Sequence, residues 1–134
     1  MKGHRGYVFS RAMGGSFIPQ RVQNLVLREY AKASGLDYLL AAVEYEMPGC
    51  WMVLNGLLEE RNQIDGLIFY SSHQLPEKRP DRDFLYSTIG ANFNLHLALE
   101  QLVFDTPESC LLLEDLIMGR TLAGVPDFGE EEDG

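Results

Sequence analysis

The sequence predicts an α/β protein, a three-layer α/β/α sandwich on a mostly parallel sheet of four to five strands in the flavodoxin-like or resolvase-like order 2-1-3-4. Short apolar segments alternate four times with amphipathic segments of helical period. The connections between them are short, which is typical of right-handed βαβ units. The 134 residues, 46% hydrophobic and 23% charged, are enough for one domain with its own core.

The first half of the chain contains two predicted strands and one helix. Aromatic and β-branched side chains at 6–10 predict the first strand, and the cluster Gly14-Gly15-Ser16 ends it. Apolar positions with a 3.6-residue period predict a helix over about 20–34. The nearly continuous apolar run at 38–43 predicts a second strand, buried on both faces.

The middle of the chain continues the alternation. An amphipathic pattern predicts a helix over about 50–62, and the apolar run 67–70 predicts the third strand. The polar segment 71–80 contains two prolines and is predicted to be a loop. A third helix is expected over about 81–93, and the apolar run 95–104 is interpreted as the fourth strand.

The last helix is predicted from a hydroxyl followed by a proline. Thr106 suits the N-cap and Pro107 the first helical position, and we expect the helix to end near Met118. Chain breakers and acids fill the segment that follows. A single α/β domain is therefore predicted for residues 1–120 and a flexible acidic tail for 121–134.

Charge and apolar patterning restrict the partners. The formal charge of −9 disfavours binding to nucleic acid or to anionic membranes. No apolar run approaches the roughly 20 residues of a membrane span, and the N-terminal segment lacks a signal peptide's apolar region. We therefore expect a cytoplasmic location. Cys50 and Cys110 show neither metal-ligand nor disulfide spacing, so reduced thiols and no metal site are predicted.

Candidate functional residues lie where the predicted strands end, because ligands bind at the carboxyl ends of parallel strands. With the order 2-1-3-4, the segments after strands one and three are neighbours. The candidate substrate-binding residues are Arg11, Tyr70, Ser71, Ser72 and Gln74. The candidate catalytic residues are Ser10, Glu44, His73 and Glu100.

Each candidate has a chemical reason and an alternative. The Arg11 guanidinium suits a phosphate or carboxylate, but it could equally pair with a surface acid. His73 suits proton transfer, or it is a solvated loop residue. Ser10 could be a nucleophile activated by His73, although no GxSxG motif is present. Gly14-Gly15 matches neither a dinucleotide-binding nor a Walker motif, so no cofactor is predicted.

The two acidic candidates are ambiguous in a similar way. Glu44 could transfer protons if it is buried, or it could be a solvated strand end. Glu100 interrupts the apolar run 95–104, so its carboxylate needs either solvent or a partner.

Two segments resemble the catalytic domain of serine recombinases of the resolvase and invertase type. They are Gly6-Tyr7-Val8-Phe9-Ser10-Arg11 and Asp65-Gly66-Leu67-Ile68-Phe69-Tyr70, and the resemblance covers about residues 5–105. It implies a flavodoxin-like sheet. The family has a serine after its first strand, and either Ser10 or Arg11 falls at that position in this sequence. His73-Gln74-Leu75-Pro76 stands where that family has Asp-Arg-Leu-Gly-Arg, so the resemblance implies the fold without DNA cleavage.

The chain to about residue 118 is also similar to the bacterial sporadic carbohydrate cluster proteins. The resembling stretches include Pro19-Gln20-Arg21-Val22-Gln23-Asn24-Leu25-Val26, Gln74-Leu75-Pro76 and Glu100-Gln101-Leu102-Val103. This resemblance implies a role in surface-polysaccharide biosynthesis, as an enzyme or binder of a sugar or nucleotide-sugar. We also expect a homodimer or a pathway-enzyme partner. The alternatives are a non-catalytic interaction module and, more remotely, a recombinase.

Overall fold

The structure is a computed structural model that describes residues 2–122. Its strands are β1 (His4–Phe9), β2 (Tyr38–Glu44), β3 (Gly66–Phe69), β4 (Asn94–Leu97) and β5 (Leu102–Phe104). Its helices are α1 (Gln20–Ala33), α2 (Met52–Glu59), α3 (Arg79–Thr88) and α4 (Leu111–Leu122). Single 3-10 turns lie at Ser72–Gln74 and Glu108–Cys110.

The strands form one sheet in the order β2-β1-β3-β4-β5. The first four are mutually parallel, with His4 of β1 opposite Gly66 of β3 and Gly66 opposite Asn94 of β4. β5 is antiparallel to β4. The predicted α/β class and the order 2-1-3-4 are confirmed, with β5 added at the edge.

Alternating side chains of the strands build a core on each face of the sheet. Tyr7 and Phe9 of β1 pack in a cluster with apolar residues of α2, α3 and α4. Val8 points the other way and packs with Leu27 and Ala31 of α1. The sheet is therefore the middle of three layers, and the strand ends at its carboxyl edge are held between helices.

The predicted strand over 95–104 is wrong, because the chain turns back in its middle. Residues 98–101 form the turn between β4 and β5, and the Gln101 N–H donates to the carbonyl of Ala98 at 3.3 Å. Gln101 adopts a left-handed φ of 57°. Glu100 therefore lies in a turn, where its carboxylate does not interrupt a strand.

Two helices have different bounds from those predicted. α2 is shorter than 50–62 at both ends. α3 begins two residues before 81 and ends at Thr88, because Ile89 has extended backbone and Gly90 pairs with Phe93 in a short bridge. The predicted loop 71–80 contains the 3-10 turn, which Ser71 caps by accepting the His73 N–H.

The last helix begins later and ends later than predicted. A 3-10 turn follows Pro107, and α4 then continues to Leu122, past the predicted end at Met118. The rest of the predicted tail, 123–134, lies outside the described residues. Several exposed apolar side chains lie on α4, namely Leu111, Leu112, Leu116 and Met118. Within residues 2–122, no helix is long and apolar enough to cross a membrane.

Candidate functional site

A cleft lies at the carboxyl edge of the sheet, beside the segments that follow β1 and β3. It consists of two adjoining cavities of about 300 and 400 Å³. Five residues line both cavities: Ala12, Gly14, His73, Leu75 and Glu77. The first cavity, here called the aromatic end, is also lined by Phe9, Arg11, Pro48, Gly49 and Trp51. The second, the arginine end, is also lined by Gly15, Ser72, Pro76, Arg82, Ile117 and Arg120.

Arg11 is held rigidly at the aromatic end. Its Nη1 donates to three backbone carbonyl oxygens, those of Tyr45 (2.9 Å), Met47 (2.8 Å) and Cys50 (3.2 Å). Its guanidinium carbon lies 4.3 Å from the ring centre of Phe9 and 4.7 Å from that of Trp51. The alternative of a surface ion pair is not what the structure has, because Arg11 binds carbonyls and rings.

Arg120 brings a second guanidinium to the arginine end. Its Nη1 donates to Ser72 Oγ at 2.9 Å and lies 3.4–3.5 Å from the two ring nitrogens of His73. Among residues 2–122, no carboxylate lies within ion-pair distance of Arg120. Its charge is therefore uncompensated in the described structure and faces the cleft.

The loop after β1 packs directly on His73. Gly14 and Gly15 have φ values of +56° and +83°. They form the tip of a turn that two hydrogen bonds between Met13 and Ser16 close at 2.7 and 2.9 Å. A Cβ on Gly14 would lie 2.9 Å from the His73 ring, so glycine is needed for this contact. The imidazole is thereby held between the loop and Arg120.

Arg82 shapes the arginine end but its charge is neutralised. It forms a two-point ion pair with Glu114 at 2.7 and 2.8 Å, which joins α3 to α4. Its Nη1 donates to the carbonyls of Pro76 and Glu77 at 3.2 and 2.8 Å. Hydrogen bonding to Arg82 lowers the pKa of the Glu114 carboxyl, and the Tyr86 hydroxyl also donates to that carboxylate.

Glu44 is buried, with 1% of its surface exposed, and its carboxylate caps α2. It accepts the backbone N–H groups of Val53 and Leu54, both at 3.0 Å, and the hydroxyl of Tyr7 at 2.7 Å. Burial raises the pKa of Tyr7, with a further contribution from Glu44, so this hydroxyl stays protonated and donates. The Ser10 Oγ donates to the Glu44 carbonyl at 3.1 Å rather than to His73.

Glu100 supports the segment that carries Ser72. Its Oε2 accepts the Ser72 N–H at 2.9 Å and the Ser71 hydroxyl at 3.3 Å. Its Oε1 is buried without a hydrogen-bond partner among the described residues. The sequence analysis expected either solvent or a partner for this carboxylate, and the partners are Ser71 and Ser72. Glu100 does not line the cleft itself but positions Ser72, which does.

Gln74 ties the same segment to the sheet. Its Oε1 accepts the N–H groups of Tyr70 and Ser71 at 2.6 and 3.1 Å, and its Nε2 donates to the carbonyl of Tyr7 at 2.9 Å. These contacts leave the side chain little capacity for a ligand. Of the predicted residues, the structure brings Arg11, Ser72 and His73 to the cleft, and it places Glu44, Gln74 and Glu100 beneath it.

Sequence reasoning missed Arg120, Arg82 and Trp51 as residues of this site. Arg120 belongs to a helix that was predicted to end before it. Arg82 lies eleven residues past Ser71, on the predicted third helix and not at the end of a predicted strand. No local motif marks either arginine, because their places depend on how α3 and α4 pack. Within the described residues, no group of three or more His, Cys, Asp or Glu is arranged to hold a metal ion.

Comparison with solved structures identifies the fold. The N-terminal catalytic domain of TP901-1 integrase superposes with a TM-score of 0.61 at 15% identity, covering 90% of this chain and 96% of that one. A resolvase family site-specific recombinase from Streptococcus pneumoniae gives a TM-score of 0.58 at 10% identity, covering 90% and 95%. The chain therefore has a resolvase-like fold, and identities this low establish the fold alone.

No protein-family model and no curated protein sequence matches the chain. The resemblance to recombinases is confirmed for the fold. The predicted membership of the sporadic carbohydrate cluster family has no support from these comparisons.

Proposed function

We propose that the carboxyl-edge cleft binds a phosphorylated small molecule, the class to which the expected sugar phosphates and nucleotide-sugars belong. The observation that carries the proposal is the Arg120 guanidinium, which lies in the cleft with no carboxylate partner among the described residues. A second guanidinium, that of Arg11, lines the other end of the same cleft. Guanidinium groups recognise phosphate oxygens with paired N–H donors.

The surroundings of Arg120 favour an anion. The backbone N–H groups at the tip of the 13–16 turn, on Gly14 and Gly15, donate to no other described residue. Consecutive N–H groups in such a turn form a concave anion site. The acidic side chain lining both cavities is Glu77, which is exposed. Apart from Arg82, which Glu114 neutralises, the cleft therefore combines two cations with one acid, in a chain whose formal charge is −9.

His73 gives this cleft an imidazole, a side chain that can donate or accept a proton. Its ring lies against Gly14 and beside Arg120, so a phosphate bound at Arg120 would be its neighbour. Its position suits protonation of a leaving oxygen or a hydrogen bond to the phosphate. Binding is thus the first activity to test, and turnover of a bound phosphate ester is the second.

Isothermal titration with inorganic phosphate and glucose 1-phosphate tests the proposal. Arg120→Gln should weaken binding about tenfold or more, because the guanidinium contact is removed while the shorter Gln side chain stays polar. Arg28→Gln is the matched control, since Arg28 is exposed on α1, away from the cleft. Equal loss in the two variants, or no binding of either compound to the unaltered chain, would contradict the proposal.

A second candidate is DNA cleavage, because the two structural neighbours are an integrase catalytic domain and a site-specific recombinase. Ser10 follows β1 and precedes Arg11, but it lines neither cavity of the cleft and its hydroxyl donates to a backbone carbonyl. Incubation with plasmid DNA followed by denaturing capture would detect a serine-linked strand. A covalent adduct that disappears in Ser10→Ala would favour this candidate over small-molecule binding.

A further inference from the structure

We propose that the aromatic end of the cleft is a base-stacking subsite, so that the ligand is a free nucleotide. Its base would lie on the Trp51–Arg11 platform and its phosphate would lie at Arg120. This inference rests on the proposed function, since it takes the arginine end as the phosphate site and adds the class of molecule that carries the phosphate.

The two side chains of the platform pack face to face, because the Arg11 guanidinium lies over the Trp51 ring. Arg11 is fixed by three carbonyl oxygens and stacked on Phe9 and Trp51. Trp51 itself lies 5.8 Å from the Phe9 ring, centre to centre, and is only half-buried. Nucleobases stack on indole rings and on guanidinium planes, and such contacts require little sequence or ring specificity.

The platform also has room and hydrogen-bond donors for a base. Pro48 and Gly49 also line this cavity, and a Cβ added at Gly49 would meet no atom within 4 Å. Only Nη1 of Arg11 is engaged, so its Nε and Nη2 make no hydrogen bond with the described residues. A base carbonyl oxygen is an acceptor that suits these donors.

The two ends are parts of one cleft, which favours a ligand with two parts. They share five lining residues, with His73 and Glu77 between them. A sugar phosphate would satisfy the arginine end and leave the aromatic platform uncovered. A nucleotide covers both, with its ribose hydroxyls near Glu77 as the acceptor. The volumes of the two cavities, about 400 and 300 Å³, fall within the range of pockets that bind small molecules.

Trp51 reports directly on the proposed stacking because it is the single tryptophan of the chain. We would titrate the full chain with AMP, UMP, ribose 5-phosphate and inorganic phosphate, following tryptophan fluorescence and, separately, heat. Free tryptophan at matched absorbance corrects for the inner-filter effect. We expect saturable quenching by AMP, none by phosphate, and about tenfold tighter binding of AMP than of ribose 5-phosphate.

Variants separate the two ends of the cleft. Trp51→Leu should weaken AMP about tenfold and leave ribose 5-phosphate within about twofold, whereas Trp51→Phe should retain most of the affinity for AMP. Phe84→Leu is the matched control, because Phe84 is a half-exposed aromatic on α3 outside this cleft. Thermal melting of each variant shows whether it is folded, and Trp51→Phe keeps the test valid if Trp51→Leu is not.

The outcomes distinguish this inference from the proposed function. If ribose 5-phosphate or inorganic phosphate binds at Arg120 and AMP binds no more tightly, the stacking subsite is overturned and the phosphate site stands. If no phosphate compound binds, both fail. If a single-stranded oligonucleotide binds far more tightly than AMP, a polymer is the ligand and the assignment to a free nucleotide is overturned.

Discussion

The Glu44 carboxylate has the environment of a structural group, although its residue type and strand-end position fit a catalytic acid equally well. Five donors converge on it: the N–H groups of Tyr45, Val53 and Leu54, the Tyr7 hydroxyl and, at 3.9 Å, the Cys50 thiol. A buried carboxylate satisfied in this way fixes the start of α2 against the sheet. The sequence identifies Glu44 as a candidate site residue. It does not show which donors surround the carboxylate, and these donors decide whether its role is structural or catalytic.

Replacing Glu44 by Gln should therefore destabilise the fold. The amide presents N–H groups to donors that need an acceptor and removes the charge at the start of α2, which we expect to cost about 3 kcal/mol. Urea unfolding measures this loss. Glu46→Gln, at an exposed position two residues along, should change stability by less than about 0.5 kcal/mol. If Glu44→Gln is stable but no longer turns over a bound phosphate ester, the catalytic hypothesis for Glu44 is supported instead.

Gly14 is a second residue whose role depends on a neighbour distant in sequence. Gly14→Ala combines an unfavourable φ of +56° with a 2.9 Å approach to the His73 ring. Gly35→Ala carries the same kind of strain, at φ +71°, but meets no atom within 4 Å. Both should lose about 1 kcal/mol of stability, and only Gly14→Ala should also weaken phosphate binding. Equal affinities in the two variants would show that the position of His73 does not matter for the ligand.

The β4–β5 hairpin shows where pattern reasoning fails for an element. The run 95–104 is apolar almost throughout, because β4 is buried and β5 pairs with it, so alternation gives no sign of a turn. The turn itself contains Ala, Leu, Glu and Gln, with no Gly, Pro, Asn or Asp to mark it. The positions of β1, β2 and β3 were predicted well because glycines, prolines or polar loops bound them. The predicted burial of β2 on both faces is wrong, because β2 is an edge strand and Leu40 is exposed.

A pair of buried histidines lies between the sheet and α1. His96 of β4 is 7% exposed and bonds the Tyr30 hydroxyl of α1 at 2.8 Å, and its ring centre lies 5.0 Å from that of His4. Burial, together with a smaller contribution from the neighbouring His4, lowers the pKa of His96 to about 4. In the unfolded chain a histidine titrates near 6.5.

Acidification should therefore weaken the contact between α1 and the sheet. Between the two pKa values the unfolded chain binds a proton that the folded chain does not, so the free energy of unfolding decreases as the pH is lowered. We expect a loss of about 2 kcal/mol from His96 between about pH 7 and pH 5. His96→Gln should flatten this slope in urea unfolding, whereas Tyr30→Phe should keep it, since the imidazole remains. An unchanged slope in His96→Gln would assign the pH dependence to other groups.

Assembly of the cleft depends on the whole molecule, which limits what sequence can predict about it. The strand-end rule selected Arg11, Ser72 and His73, because those residues follow directly on β1 and β3. It could not select Arg120, which reaches Ser72 from 48 positions away, or Trp51, which reaches Arg11 across the loop after β2. Both depend on helix packing and loop path, which leave no periodic signal.

Net charge is the property of the whole chain that acts most directly on an anion site. Residues 130–133 contribute four of the acids behind the formal charge of −9. Replacing Glu130, Glu131 and Glu132 by Gln and Asp133 by Asn leaves a formal charge of −5, with the chain length unchanged. A less negative chain repels a phosphate less, so binding should tighten severalfold at low ionic strength. The difference should disappear near 1 M salt, where screening acts over about 3 Å.

Titration of inorganic phosphate at both salt concentrations measures this difference in affinity between the two chains. An advantage that survives high salt would show a short-range contact of these acids, and no advantage at low salt would show that net charge does not limit binding.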